Sequence, residues 1–212
     1  MYPLSTFKEK DPAIVLEFMK ANSFAMLMAV DGEQRPVATQ IPFLFEKREG
    51  QLYLRGHIMK GNDHHKAIEQ NQQVLVVFTG PHCYISASWY EPQHQQTAST
   101  WNYMSVHAHG ELRFLSDEEL LQVLDDTTSF YENNPSSPAL YKEMSQEYVQ
   151  RMAKAIVAFE IKVSSLEHVF KLSQNRDQKS YENILAKLEA GDPNAQGVAH
   201  EMRKRKNQLF AS

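Results

Sequence analysis

The chain has 212 residues, 42% of them hydrophobic, which is enough apolar material for one sizeable core. Its 22 basic and 26 acidic side chains leave a formal net charge of -4, so no global attraction draws it to nucleic acid or an anionic membrane. A single cysteine, Cys83, excludes an intrachain disulfide and a cysteine-based zinc knuckle, and suits a reducing, cytoplasmic setting.

The chain opens on MYPLSTFKEKD, which lacks the basic and apolar regions of a signal peptide, and no apolar run approaches the roughly 20 residues that cross a bilayer. Asp11 can cap a helix whose first residue, Pro12, loses little by lacking an N–H, and Ile14, Leu16, Phe18 and Met19 follow. Residues 24–30 are continuously apolar, Asp31-Gly32 is a tight-turn pair, and residues 36–46 resume in extended character, which predicts a hairpin. Pro42 cannot donate a ladder hydrogen bond and argues for a free edge or a bulge. A third strand over 51–57 places Tyr53, Arg55 and His57 on one side, and a short helix over about 62–71 follows it.

Two further strands, 73–79 and 82–89, are expected on either side of Gly80-Pro81, and residues 91–99 (EPQHQQTAS) read as an exposed loop. Residues 100–114 form a strand with Trp101, Tyr103, Ser105, His107 and His109 on one face and Asn102, Met104, Val106 and Ala108 on the other. Ser116 and Glu119 make a capping box before the stripe Leu120, Leu121, Val123 and Leu124. Then come a loop at 133–138, a polar helix with Leu140, Met144, Val149 and Met152, and a strand over 155–163. The Asp-His-His run at 63–65 reads as a solvated helix start. A helix running through Leu188 and a last one after Asp192-Pro193, containing RKRK at 203–206, end the chain.

Six or seven strands, mostly joined by short turns with helices inserted irregularly, predict a mainly β, α+β fold: a closed antiparallel barrel with helices outside. One domain is expected over residues 1–170, with a helical extension, 171–212, packed on it. No G-x-G-x-x-G turn follows an early strand, so a nucleotide cofactor must bind otherwise than on a Rossmann site.

Four segments appear in the order GHIMKGN (56–62), VLVVFTGPHCYISASWY (74–90), TWNYMSVHAHG (100–110) and KLSQN (171–175). Together they resemble the FMN-binding split barrels related to pyridoxamine phosphate oxidase, and more narrowly the PaiB-like family of FMN-binding negative transcriptional regulators. The resemblance spans most of the chain from Phe24 to about Leu188. The chain departs from the family pattern at Lys60-Gly61 and Asp63, where relatives are expected to carry Arg-Ala and Pro, and at AST before Trp101, where Val-Pro-Thr is expected. Lysine in place of arginine keeps a cation but loses bidentate geometry.

The resemblance implies a split antiparallel β-barrel, FMN as cofactor, and a homodimer with FMN at the subunit interface. Lys60, with the amides where a helix opens near Asn62, has the chemistry of a phosphate site, though the same pattern also fits a surface lysine before an ordinary cap. His57 belongs to the same motif. For the isoalloxazine wall and ring edges, Trp101, Asn102, Thr39 and Gln40 are the candidates. The resemblance also brings Gln174 and Asn175 of the SQN run to that site. No residue has an identifiable catalytic role, because a flavin carries its own redox chemistry.

His107 and His109 with His82 or His57 have the residue types of a three-histidine metal site, but an H-x-H pair is common on strands, and no metal is assigned. No G-x-S-x-G elbow accompanies Ser86, Ser88 or Ser105. Cys83 reads as a small core residue. RKRK at 203–206 is the one concentrated basic run, and in an acidic protein it reads as a solvated helix face rather than a DNA contact. Two function classes therefore stand: an FMN-binding transcriptional regulator acting indirectly, and an FMN-dependent oxidoreductase acting on a small cytoplasmic molecule.

Overall fold

The computed structural model describes residues 1–91 and 97–210. Among them lie seven strands: β1 (Phe24–Val30), β2 (Pro36–Pro42), β3 (Leu44–Arg48), β4 (Gln51–Met59), β5 (Gln73–Ile85), β6 (Thr100–Phe114) and β7 (Ile156–Lys171). Six α-helices accompany them: α1 (Pro12–Ala21), α2 (Asp63–Gln70), α3 (Asp117–Glu132), α4 (Gln146–Ala153), α5 (Gln178–Glu189) and α6 (Pro193–Leu209). The strands form one sheet in the order β2-β1-β5-β6-β7-β4-β3. β1 pairs antiparallel with β2 and β5, and β4 with β3 and β7.

β2 and β3 occupy opposite ends of that order, yet only Phe43 separates them. The two edges are thereby tied together, and the sheet curls into the expected split antiparallel barrel. Pro42 ends an edge strand, as its missing N–H requires. The run expected as one arm, 36–46, is thus two strands on different edges.

The chain divides into two compact units. The first contains Met1–Phe18, Thr79–Val106 and Glu167–Ser212; the second contains Met19–Phe78 and His107–Leu166.

The core of the second unit gathers around Phe43, which is fully buried. Its ring lies 5.8 Å from that of Phe78 and 6.1 Å from that of Phe159. The alternation of β4 buries Leu54, Gly56 and Ile58. At Gly110 of β6 an added Cβ would lie 2.5 Å from the Lys162 carbonyl oxygen, so only glycine lets β6 and β7 approach there. α3 opens with the expected capping box, Ser116 and Glu119 each bonding the other's backbone. It lays Leu120 and Val123 on Ala158 of β7, while Leu121 stays exposed. Glu160 is buried but ion-paired to Arg48 and Arg113, which offsets its lost hydration.

In the first unit α5 and α6 pack through Tyr181, Ile184, Leu188, Val198 and Met202, all buried. The Tyr181 hydroxyl donates to the Met202 carbonyl at 2.8 Å. Pro81 sits under Gly197 of α6, where an added Cβ would come within 2.8 Å of it. Gly80-Pro81 therefore does not split β5 in two. The register with β1 covers only residues 75–77, so Pro81 owes that neighbour no hydrogen bond. β5 ends at Ile85, and residues 87–89, expected as strand, form a single 3-10 turn capped by Ser86. β7 continues to Lys171, well past 163, because its exposed middle makes polar residues such as Ser164, Ser165 and Glu167 compatible with strand. Of the loop expected over 91–99, residues 92–96 lie outside the described residues.

His64 is another departure: it is 2% exposed rather than solvated, and neither ring nitrogen has a hydrogen-bond partner among the described residues. Burial, partly offset by the charge of Asp63, holds its imidazole below the ordinary range; burial does the same to His57. Below about pH 6.5 the unfolded chain then binds protons that the fold refuses, so stability is present above that pH and falls as pH drops towards the lowered folded values. The variant His64→Leu is expected to flatten the fall in melting temperature between pH 7 and 5. Identical pH profiles for both proteins would exclude His64 as a source of that loss.

Candidate functional site

β4 delivers the first part of the site. After Met59 the Lys60 N–H donates to the Ala155 carbonyl at 2.9 Å, and Gly61 takes φ 77°, a left-handed turn that glycine adopts without strain. Nothing lies within 4 Å of where its Cβ would be. Asn62 then caps α2, its side-chain oxygen accepting from the His65 N–H at 2.7 Å. This bond commits the Asn62 side-chain oxygen to shaping the helix opening and leaves its amide NH2 as a donor.

The Lys60 ammonium is 40% exposed and lies 3.7 Å from the Asp117 carboxylate, itself 95% exposed. Such a solvated pair contributes only about 0–1 kcal/mol, so an incoming phosphate can displace Asp117. Asp63, in the first turn of α2, opposes an anion there. The neighbouring Arg55 is committed to Glu46 and Asp126. A cation, an open left-handed glycine and a helix opening are donor chemistry that fits a phosphate. Also in this unit, Thr39 is half-buried and Gln40 exposed on β2, facing Leu27 and Met26 in register. His57 is half-buried on β4 opposite Ala158, and burial holds its imidazole below the ordinary range.

The remaining candidates belong to the first unit. Trp101 is 53% exposed, its ring 6.1 Å from both Tyr84 and His82, forming an aromatic surface. Asn102, on the opposite face of β6, is fully buried; its amide donates to Ser173 Oγ at 3.0 Å and approaches Met202 Sδ at 3.6 Å. Gln174 is turned onto its own backbone, accepting from the Leu172 N–H at 2.7 Å and donating to the Phe170 carbonyl. Asn175 remains exposed.

The structure brings Asn102 and Asn175 to one cavity of about 320 Å³, shared with Ser99, Thr100, Lys171 and Arg176. Lys171 and Arg176 were not singled out in the sequence, although they bracket SQN. The turn between them holds Ser173 at φ 63° and is closed by the Arg176 N–H on the Ser173 carbonyl at 3.0 Å.

The other residues of interest resolve simply. Cys83 is buried and its thiol is pushed up to about 11 by burial and by the charge of Asp192, which leaves almost no thiolate at neutral pH. Among the described residues no group of three His, Cys, Asp or Glu side chains is placed to hold a metal. The basic run on α6 is neutralised cation by cation. Arg203 pairs with Glu189, Lys204 with Glu201 at 2.8 Å, Arg205 with Glu201 at 2.6 Å and Glu9 at 3.7 Å, and Lys206 with Glu182 at 2.8 Å. No helix among the described residues is long and apolar enough to cross a membrane.

Comparison with known proteins agrees with this chemistry. The profile of the family described as "Putative FMN-binding domain" matches residues 1–165. The chain is 35% identical over 211 residues to "Protease synthase and sporulation protein PAI 2" of Bacillus subtilis, covering 99% of this chain and 100% of that protein. Among solved structures, a conserved hypothetical protein, Rv2991, from Mycobacterium tuberculosis superposes with a TM-score of 0.55 at 10% identity, over 81% of this chain and 91% of that one. A FAD and heme binding protein from Mycobacterium smegmatis superposes with a TM-score of 0.54 at 16% identity, over 77% of this chain and 72% of that one. At those identities the two structures support the fold alone. The match over residues 1–165 and the full-length likeness to PAI 2 place the chain in the PaiB-like family of FMN-binding proteins, with FMN as its cofactor.

Proposed function

We propose that this chain is a cytoplasmic flavoprotein that holds FMN between two copies of itself and acts on transcription through the flavin rather than by gripping DNA. The observation that carries the placement of FMN is the Lys60-Gly61 turn into the capped helix α2. Lys60 and the amides opening α2 bind the phosphate, with His57 and Asn62 shaping that end. Thr39 and Gln40 offer polar edges, Trp101 an aromatic wall, and Asn102, Gln174 and Asn175 the framework of the SQN turn. Bound FMN supplies one- and two-electron redox chemistry, while the side chains bind it, orient it and limit water. In this reading residues 1–170 form the flavin-binding barrel and 171–212 a helical extension packed on it.

The dimer is supported by the exposed aromatic pair Trp101 and Tyr84, since clustered exposed rings are a surface that a second copy can cover. Dilution that dissociates the dimer is expected to release FMN in the same transition, followed by sedimentation at a flavin wavelength. A monomer that retains FMN would count against shared sites.

The regulator reading comes from the family resemblance. The ion-paired run on α6 argues against direct repression and favours the second reading, an oxidoreductase acting on a small molecule. Four cations on four phosphates would give a log-log salt slope of about -3.6 for duplex binding. Because each cation already has a carboxylate partner, the expected slope is far shallower and the binding weak and without sequence preference. A gel-shift titration giving nanomolar, sequence-specific binding at physiological salt would restore direct repression.

A further inference from the structure

We propose that the cavity of the first unit bounded by Lys171, Arg176, Thr100 and Ser99 is a binding site for the phosphate or carboxylate of a small organic molecule, distinct from the phosphate of FMN. The proposal rests on the flavin reading only in assigning FMN's own phosphate to Lys60.

Charge is the first argument. Two cations line the cavity and no carboxylate does, and neither Lys171 nor Arg176 lies within ion-pair distance of an acid among the described residues. Residues 92–96 and 211–212, outside the described set, contain no acidic side chain. Arg48, Arg55, Arg113 and all four of the α6 run have carboxylate partners, and lysines without one among the described residues, such as Lys10, Lys20 and Lys66, are exposed, whereas Lys171 and Arg176 are half-buried. Burial, and then the charge of Arg176, holds the Lys171 ammonium below the usual lysine range, as expected of two like charges facing one cavity without a counter-ion. An oxyanion relieves both.

Donor geometry is the second. Lys171 Nζ donates to Thr100 Oγ1, which fixes the end of a flexible side chain. The Arg176 guanidinium lies 4.0 Å over the ring of Tyr90, so its plane is held by stacking while its N–H edges stay available for an oxyanion. Gln174 braces the turn between the two cations by bonding Leu172 and Phe170. Serine and threonine hydroxyls from residues 97–100 line the same space.

The third argument concerns the rest of the ligand. Tyr2, Leu4 and Phe7 make an apolar wall of the cavity. A volume of about 320 Å³ lies at the lower end for ligand pockets, too small for a whole dinucleotide and sufficient for a small molecule with an apolar body and one anionic group.

Phenyl phosphate and inorganic phosphate, titrated calorimetrically into the FMN-loaded full chain, test this. Phenyl phosphate is expected to bind, and more tightly than inorganic phosphate because of the apolar wall. Arg176→Ala and Lys171→Ala are each expected to weaken it by about tenfold or more, the loss of a charged hydrogen bond, with melting temperature and flavin spectrum unchanged. Lys171→Arg, which keeps the charge, is expected to retain binding even if the alanine variant folds poorly. Absence of binding, or binding that survives Arg176→Ala, overturns the proposal. So does binding to the apoprotein alone together with loss of FMN affinity in Arg176→Ala, which would make the cavity the flavin's own phosphate site. If Lys60→Ala leaves FMN affinity untouched while Arg176→Ala abolishes phenyl phosphate binding to loaded protein, the flavin placement fails and this site stands.

Discussion

Replacing Lys60 by alanine is expected to weaken FMN binding by about 1.5–3 kcal/mol, or roughly 10- to 150-fold, the range for a lost charged hydrogen bond. The size follows from the site's composition. Lys60 is the cation at the opening of α2 that a phosphate can recruit, because its pairing with Asp117 is solvated and weak, Arg55 nearby is held by Glu46 and Asp126, and no second lysine or arginine belongs to the turn. Riboflavin, which lacks the phosphate, is expected to bind the wild-type chain weakly and to be indifferent to Lys60→Ala. Fluorescence titrations with both flavins on both proteins give the four affinities needed. Equal wild-type affinities for FMN and riboflavin would remove the phosphate from the site.

A larger effect is expected on stability from Phe43→Ala. The ring is fully buried and meets Phe78 and Phe159 at tilted and edge-on angles, so truncation loses transfer energy and leaves a void lined by two other rings. About 3–5 kcal/mol is the expected loss, a fall in melting temperature of roughly 6–20 °C for a chain of this size. Paired denaturant titrations of wild type and variant measure it. A loss under about 1 kcal/mol would mean that the neighbouring rings collapse into the space and that the junction is not the keystone of the second unit's core.

Much of the fold was legible because the signals that delimit elements are local. Asn62 and Ser116 announce helices by capping chemistry that involves only their own first turns, and the alternation of residues 100–114 fixes both faces of β6. What failed was the reading of breakers and polar runs without their tertiary context. Gly80-Pro81 looks like a turn until Gly197 of α6 is seen to cover it, and the polar middle of β7 looks like a strand end because its exposure is decided elsewhere in the sheet. Phe43 is one apolar residue in a run of them; that it ends one edge and starts the other depends on pairings with β1 and β4.

The site divides along the same line. The flavin-binding character was carried by contiguous motifs. By contrast, the local bonds of Asn102, a ring-edge candidate, to Ser173 and of Gln174, which the resemblance brought to the site, to its own backbone were not legible. The fate of the α6 cations was also illegible, since their partners Glu9, Glu182 and Glu189 come from distant positions. Conversely, the pairing of Lys171 and Arg176 is visible only in the cavity, whose lining holds both cations and, among the described residues, no carboxylate.

The one-residue passage from β2 to β3 has a consequence for how this chain can change its length. Each edge strand is held in register, β2 by β1 and β3 by β4, so the passage is a spacer measured against both pairings at once. A single added residue there would turn the side chains of one strand from inside to outside. The Glu49-Gly50 turn between β3 and β4 is the opposite case, with both residues at positive φ and open space around Gly50. Insertions and deletions in this part of the gene should therefore survive at the hairpin tip and be purged at Phe43.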